Sequence, residues 1–158
     1  MILGIDPGLD GALSFLEGDA LVIVDMPTLK AGVGGKRIVD ENELSTIIDV
    51  QSAKIRHVFV EAVSAMPKQG VTSVFSFGTS YGLVRGILAA HFLQRTFIRP
   101  QVWKKALQVP AAKDGAIARA SQLMPEHRAL WPLKKHDGRA ESALIALYGS
   151  RQFERNAT

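Results

Sequence analysis

The chain has 158 residues, 47% of them apolar, which is enough for one domain with a buried core. It contains no cysteine, which excludes zinc–thiolate sites, disulfides and thiol chemistry and agrees with a reducing compartment. The formal net charge is +4 and the sequence pI about 9.6, a balance that suits a polyanionic partner, although a charge of this size is also ordinary for a soluble protein.

The first residues, MILGI, read as a core strand rather than a leader, so no targeting segment is expected, and no apolar stretch approaches the length of a membrane span. Residues 2–6 form this first apolar run. The segment DPGLDG then turns the chain, and residues 12–16 and 21–26 read as two further strands in hairpin order, an antiparallel start. Residues 27–37, rich in Gly, Lys and Pro, are expected to be a loop. Its Ala31–Arg37 stretch superficially matches a phosphate-binding loop, but Lys30 stands where the first Gly is required and Arg37 replaces Ser or Thr. Residues 41–52 have helical spacing, with Leu44, Ile47 and Ile48 on one face. Residues 57–61 are a mostly apolar strand of the kind buried in a parallel sheet. A loop around 66–70 leads to a long helix over 71–92, then a short strand at 96–98. Two short helices, 101–107 and 114–123, flank a loop at 110–113. A final helix begins at Asp137 and runs to about residue 152. Strands first, then helices alternating with strands, predict an α/β mixed sheet covered by helices. A single domain is expected over residues 1–153, with 154–158 as a frayed tail.

Acids punctuate this scheme. Asp6 closes the first apolar run, Glu61 closes the strand HVFVE, and Asp137 and Glu141 open the last helix, HDGRAESALIALYG. An acid at the end of a hydrophobic strand sits where the sheet meets water. Gly8 and Gly11 remove side chains that would keep a phosphate or metal away from Asp6. Alone, Asp-Pro-Gly also reads as a simple turn, and Glu61 as a charge that marks the exit to solvent. Asp137 and Glu141 lie about 40° apart around a helix axis, on one face. Like charges there repel, and Leu144 and Tyr148 continue their stripe toward the core, where acids without a partner are unusual. Asp137 also suits an N-cap that favours the helix dipole. Together the acids offer the oxygen ligands that Mg²⁺ needs. Two such ions about 4 Å apart clamp a phosphodiester during in-line hydrolysis, so the chemistry predicted is that of a metal-dependent nuclease.

The ordered set of acids resembles the RuvC-type Holliday-junction resolvases of the ribonuclease H-like nuclease superfamily. The resemblance covers nearly the whole chain and is anchored on GIDPG at 4–8, FVEA at 59–62, GTSYGLVRGIL at 78–88 and HDGRAESALIAL at 136–147. The last motif looks more like phage or prophage members: the cellular enzymes usually carry two Asp three residues apart, where this chain has Asp137 and Glu141. The resemblance implies a ribonuclease H-like mixed sheet, with the first three strands antiparallel and the later ones parallel, flanked by helices. It implies that Asp6 bridges two metals, that Glu61 binds one and helps orient the attacking water, and that Asp137 and Glu141 hold a metal from the last helix. The ions would be Mg²⁺, with Mn²⁺ as a substitute. The implied activity is paired hydrolysis of opposed strands of a four-way DNA junction by a homodimer, in the cytoplasm of a bacterial or phage-infected bacterial cell. A broader nuclease for branched or flap DNA or structured RNA uses the same acids, and an inactive junction-binding module is a further alternative.

Lys104, Lys105 and Lys113 lie where the family carries DNA-contacting lysines, and Arg119, Lys134, Lys135 and Arg139 would extend a basic rim. Each alone also reads as a solvated surface cation. The family uses the counterpart of residues 67–82 to stack an aromatic on bases, with Phe75 or Phe77 as the candidate here, although both also suit packing under the long helix. Trp103 is expected to be a core anchor. His136, beside Asp137, reads either as a proton donor or supporting partner of the site or as a lead-in to the helix. Gly78, Gly82 and Gly86 repeat at spacing four and predict close approach of another backbone, either the sheet or a second subunit.

Overall fold

The computed structural model describes residues 1–31, 34–64 and 70–156, the last without its side chain. Five strands form the main sheet: β1 (Ile2–Ile5), β2 (Ala12–Glu17), β3 (Ala20–Asp25), β6 (His57–Glu61) and β7 (Arg95–Ile98). Their order is β3-β2-β1-β6-β7. β1, β2 and β3 run antiparallel to one another in sequence, whereas β6 lies parallel to both β1 and β7. This is the mixed α/β sheet the sequence predicts. No helix among the described residues is long and apolar enough to cross a membrane.

Strand alternation divides the core in two. Leu3, Ile5, Leu13, Phe15, Val58 and Val60 face helices α1 (Glu41–Ser52) and α2 (Val71–Ala90), which contribute Leu44, Ile48, Val84 and Leu88. Asp40 starts α1 as an N-cap: its carboxylate accepts from the amides of Asn42 (3.1 Å) and Glu43 (3.0 Å). On the other face, Ile2, Phe59 and Ile98 meet α3 (Pro100–Ala106), α4 (Gly115–Leu123) and α5 (Asp137–Asn156). Two 3-10 segments, Pro125–Leu130 and Lys134–His136, join α4 to α5.

Helix α5 lies hard against the middle of the sheet. A Cβ on Gly4 would fall 2.3 Å from the Ser142 carbonyl oxygen, and one on Gly149 would fall 2.3 Å from the Phe59 ring. Ala140, Ala143 and Ala146 are buried on the same helix, and the buried hydroxyls of Ser14 and Ser142 share a 2.7 Å hydrogen bond between sheet and helix. The close approach to the sheet is therefore made by α5. A Cβ on Gly78, Gly82 or Gly86 of α2 would meet open space, so the sheet does not explain those glycines.

Two segments differ from expectation by more than a shift of one or two residues at an element's end. The loop expected over 27–37 carries a separate hairpin, β4 (Thr28–Ala31) with β5 (Lys36–Val39). Gly34 and Gly35 have φ of 86° and 62°, a turn conformation glycine adopts without strain. The last helix continues to Asn156 because Phe153 anchors its final turns. Its ring lies 5.2 Å from that of His57 and 6.2 Å from that of Phe59, and the Arg56 guanidinium lies 4.8 Å from its centroid. Residues 157 and 158 lie outside the described residues.

Candidate active site

Parallel pairing brings the first two acids together. Ile5 is in register with Val60, and the residue after each is an acid, so Asp6 and Glu61 leave adjacent strands side by side. Asp6 Oδ1 accepts the Gly8 amide at 3.1 Å, closing a tight turn. Gly11 is needed inside that turn, because a Cβ there would lie 2.2 Å from the Asp6 carbonyl oxygen. Gly138, at the start of α5, has the same need: its Cβ would lie 2.2 Å from the Asp10 carbonyl oxygen. Backbone therefore touches backbone, and this contact delivers Asp137 to the β1–β2 turn. One helical turn later α5 presents Glu141.

Asp6, Glu61 and Asp137 are each shifted by burial and by the charge of a neighbouring acid. Burial, then the charges of Glu141 and Asp137, push Asp6 up to about 7. Burial, then Glu141 and Asp6, push Glu61 up to about 8. Asp137 is raised too, by burial and then by Glu141. Its Oδ1 is buried and has no hydrogen-bond partner among the described residues. The sequence-predicted acids thus share one electrostatic site.

A cation already sits among them. Lys104 Nζ donates to Glu141 Oε1 at 2.6 Å. Burial pulls the Lys104 ammonium down, but its bond to Glu141 and the charges of Glu141, Glu61 and Asp137 outweigh this and hold it above the usual lysine range. Trp103 aims the lysine. The indole is 0% exposed, as expected of a core anchor, and pins α3, while Lys104 Nζ lies 5.1 Å from its ring centroid. The sequence marks Lys104 as a surface phosphate contact. Its place inside the acid cluster has no local signal, because the partner lies on a helix 37 residues away.

No group of three or more His, Asp or Glu side chains among the described residues is gathered closely enough to hold a metal as it stands. The chemistry of the set nevertheless fits a hard divalent cation. All four donors are carboxylates, their mutual repulsion is only partly offset by one ammonium, and Asp137 keeps an oxygen without a partner among the described residues.

The remaining predicted residues are scattered around this centre. Lys105 on α3 and Lys113 before α4 are exposed. Phe75 is 77% exposed on α2, whereas Phe77 is half-buried and lines a hollow with Leu9 and Lys36. Positions 67–69 of the segment expected to meet bases lie outside the described residues. Arg139 makes a two-pronged ion pair with Asp25, both bonds 2.5 Å, and donates to the Leu130 carbonyl at 3.1 Å. Arg119 bonds the Leu107 carbonyl and Gln122. Both arginines of the expected rim are therefore engaged within the fold. His136 is half-buried, with no partner for Nδ1 among the described residues.

The sequence matches no family model, and no curated protein matches it significantly. Solved structures do match. Thermus thermophilus RuvC aligns over 98% of this chain and 96% of its own, with a TM-score of 0.54 and 17% identity. The T. thermophilus RuvC in complex with a Holliday junction substrate aligns over 98% and 94%, with a TM-score of 0.60 and 17% identity. The yeast mitochondrial Holliday junction resolvase Ydc2 aligns over 98% and 81%, with a TM-score of 0.53 and 13% identity. The fold is ribonuclease H-like. More particularly, the chain shares the fold of the RuvC structures over nearly its full length.

Proposed function

We propose that this protein is a metal-dependent, structure-selective DNA endonuclease that resolves four-way junctions by paired phosphodiester hydrolysis. What supports this reading is that Asp6 and Glu61 leave adjacent strands in register, with Asp137 and Glu141 of α5 near enough for their charges to act on them. A fold shared with solved junction resolvases adds support. Those four carboxylates would hold Mg²⁺ or Mn²⁺, two ions per site. The chemistry such cations supply is Lewis-acid stabilisation of charge on the phosphoryl oxygens. The protein orients the reacting groups. Lys104 steadies Glu141 and lends positive charge beside the scissile phosphate. Exposed Lys105 and Lys113 hold phosphates, and exposed Phe75 offers a face for an unpaired base. A homodimer would set two such sites on opposed strands of one junction.

The test is cleavage of a synthetic four-way junction in Mg²⁺ and in chelator, with flap and linear duplexes beside it. Asp6→Asn and Glu61→Gln should each lower the cleavage rate by at least about 10³-fold, while junction binding in Ca²⁺ persists. Full Mg²⁺-dependent activity in either variant would sink the assignment. One observation favours a second reading, a junction-binding module without cleavage: the acids are not gathered as metal ligands, and Lys104 holds Glu141. Tight binding with no products in either Mg²⁺ or Mn²⁺ would select it.

A further inference from the structure

A cleft of about 580 Å³ opens beside the acids, between the β1–β2 turn, the β4–β5 hairpin and the segment entering α5. Asp137 is among its lining residues, so the cleft shares one acid with the candidate active site. Its walls carry Arg37, Lys134, Lys135 and Arg139 against Asp10 and Asp25. The two arginines are each held by one of those carboxylates, Arg37 by Asp10 and Arg139 by Asp25. The two lysines are exposed and make no ion pair among the described residues.

The two arginine pairs are not equivalent. Arg139 is bound in two-pronged fashion and also bonds the Leu130 carbonyl, so it belongs to the floor. Among the described residues Arg37 makes one ion pair, and its side chain and that of Asp10 are 45% and 86% exposed. Such an exposed pair is worth only about 0–1 kcal/mol. A phosphate, which offers more acceptor oxygens, competes well for that guanidinium. Arg37 also stands in register with Lys30 on the hairpin, so the cation that is freed already has a basic neighbour.

We propose that this cleft seats the phosphodiester backbone of the strand passing through the carboxylate site. Lys134 and Lys135 grip it, and Arg37 exchanges the Asp10 carboxylate for a phosphate. The inference deepens the nuclease reading by giving the strand a track, and it rests on that reading for the identity of the ligand.

The experiment is fluorescence anisotropy of a labelled four-way junction in chelator across a salt series, with cleavage in Mg²⁺ measured in parallel. Lys134→Ala with Lys135→Ala should lower the slope of log affinity against log salt by about 1.8, because each lost phosphate contact removes about 0.9. Asp10→Asn should tighten binding about two- to fivefold by freeing Arg37, an effect that Arg37→Ala abolishes. Wild-type protein that binds and cuts junctions, with slope and affinity unchanged in the lysine variant, overturns the cleft alone. Weaker binding by Asp10→Asn overturns the exchange. Wild-type protein that binds no DNA overturns both readings. A lowered slope in a protein that never cuts supports the cleft and overturns the nuclease.

Discussion

Asp6 and Glu61 take up protons when the chain folds, the reverse of the usual salt-bridged carboxylate. Their folded values, about 7 and about 8, lie above the ordinary 3.8 and 4.5. Between about pH 4 and pH 8 these two acids bind more protons in the folded state than in the unfolded one, so their contribution to stability in chelator falls as pH rises through that window, while His57 and His136, both held low by burial, act in the opposite sense. Below about pH 4 this loss is absent, but Asp25 acts in the opposite sense there. Its hydrogen bond to Arg139 holds its carboxyl low, so its stabilising contribution disappears as the solution becomes acid. Thermal melts in chelator should show stability greatest near pH 4–5, and Glu61→Gln should flatten the decline above it. A pH profile that Glu61→Gln leaves unchanged would mean that these acids are not buried against one another. At this scale the sequence was informative where an acid ended an apolar run, as at Asp6 and Glu61. It was silent on the Lys104–Glu141 contact and on the Asp25–Arg139 pair, because those contacts join segments far apart in the chain.

The helices and strands of the main sheet were legible because their apolar periods are unambiguous, and α1 is bounded as its spacing predicts. The β4–β5 hairpin was not legible. Its strands are four residues each, its turn is Gly-rich, and alternation between Leu29, Lys30, Arg37 and Ile38 is too short to stand out from a loop. The glycines of α2 stand out in the sequence, but their surroundings could not be read there, since periodicity does not say which helix meets the sheet. The two kinds of glycine now make opposite predictions. Gly4→Ala drives a methyl into the backbone of α5 and should cost about 3 kcal/mol. Gly82→Ala meets open space in a helical conformation and should gain about 1 kcal/mol in an isolated protomer. Urea unfolding of the two variants checks both signs. If Gly82→Ala instead loses stability in a concentration-dependent way, the glycine face is covered by another copy of the chain.

For the molecule as a whole, the proposed activity needs two sites acting on one junction. Mixing wild-type protomers with Asp6→Asn protomers should therefore give heterodimers that cut one strand of a plasmid cruciform and leave it nicked. Homodimers of the wild type should yield linear plasmid. Linear product in proportion to total protein, with no nicked form, would exclude paired action by two protomers. The charge layout suits a branched polyanion. Acids gather at the C-terminal ends of β1 and β6, and cations stand around them on α3, on the hairpin and before α5.

The bare contact between Gly138 and the Asp10 carbonyl has a consequence for tolerance to change. The gap between Asp6 and Asp137 is gauged by main chain resting on main chain, with no side chain as a shim. Exchanges among the aliphatic residues behind α5 should thus erode melting temperature well before they detune the spacing of the acids. A single methyl added at position 138 would do the reverse, leaving the interior filled and the working edge out of gauge.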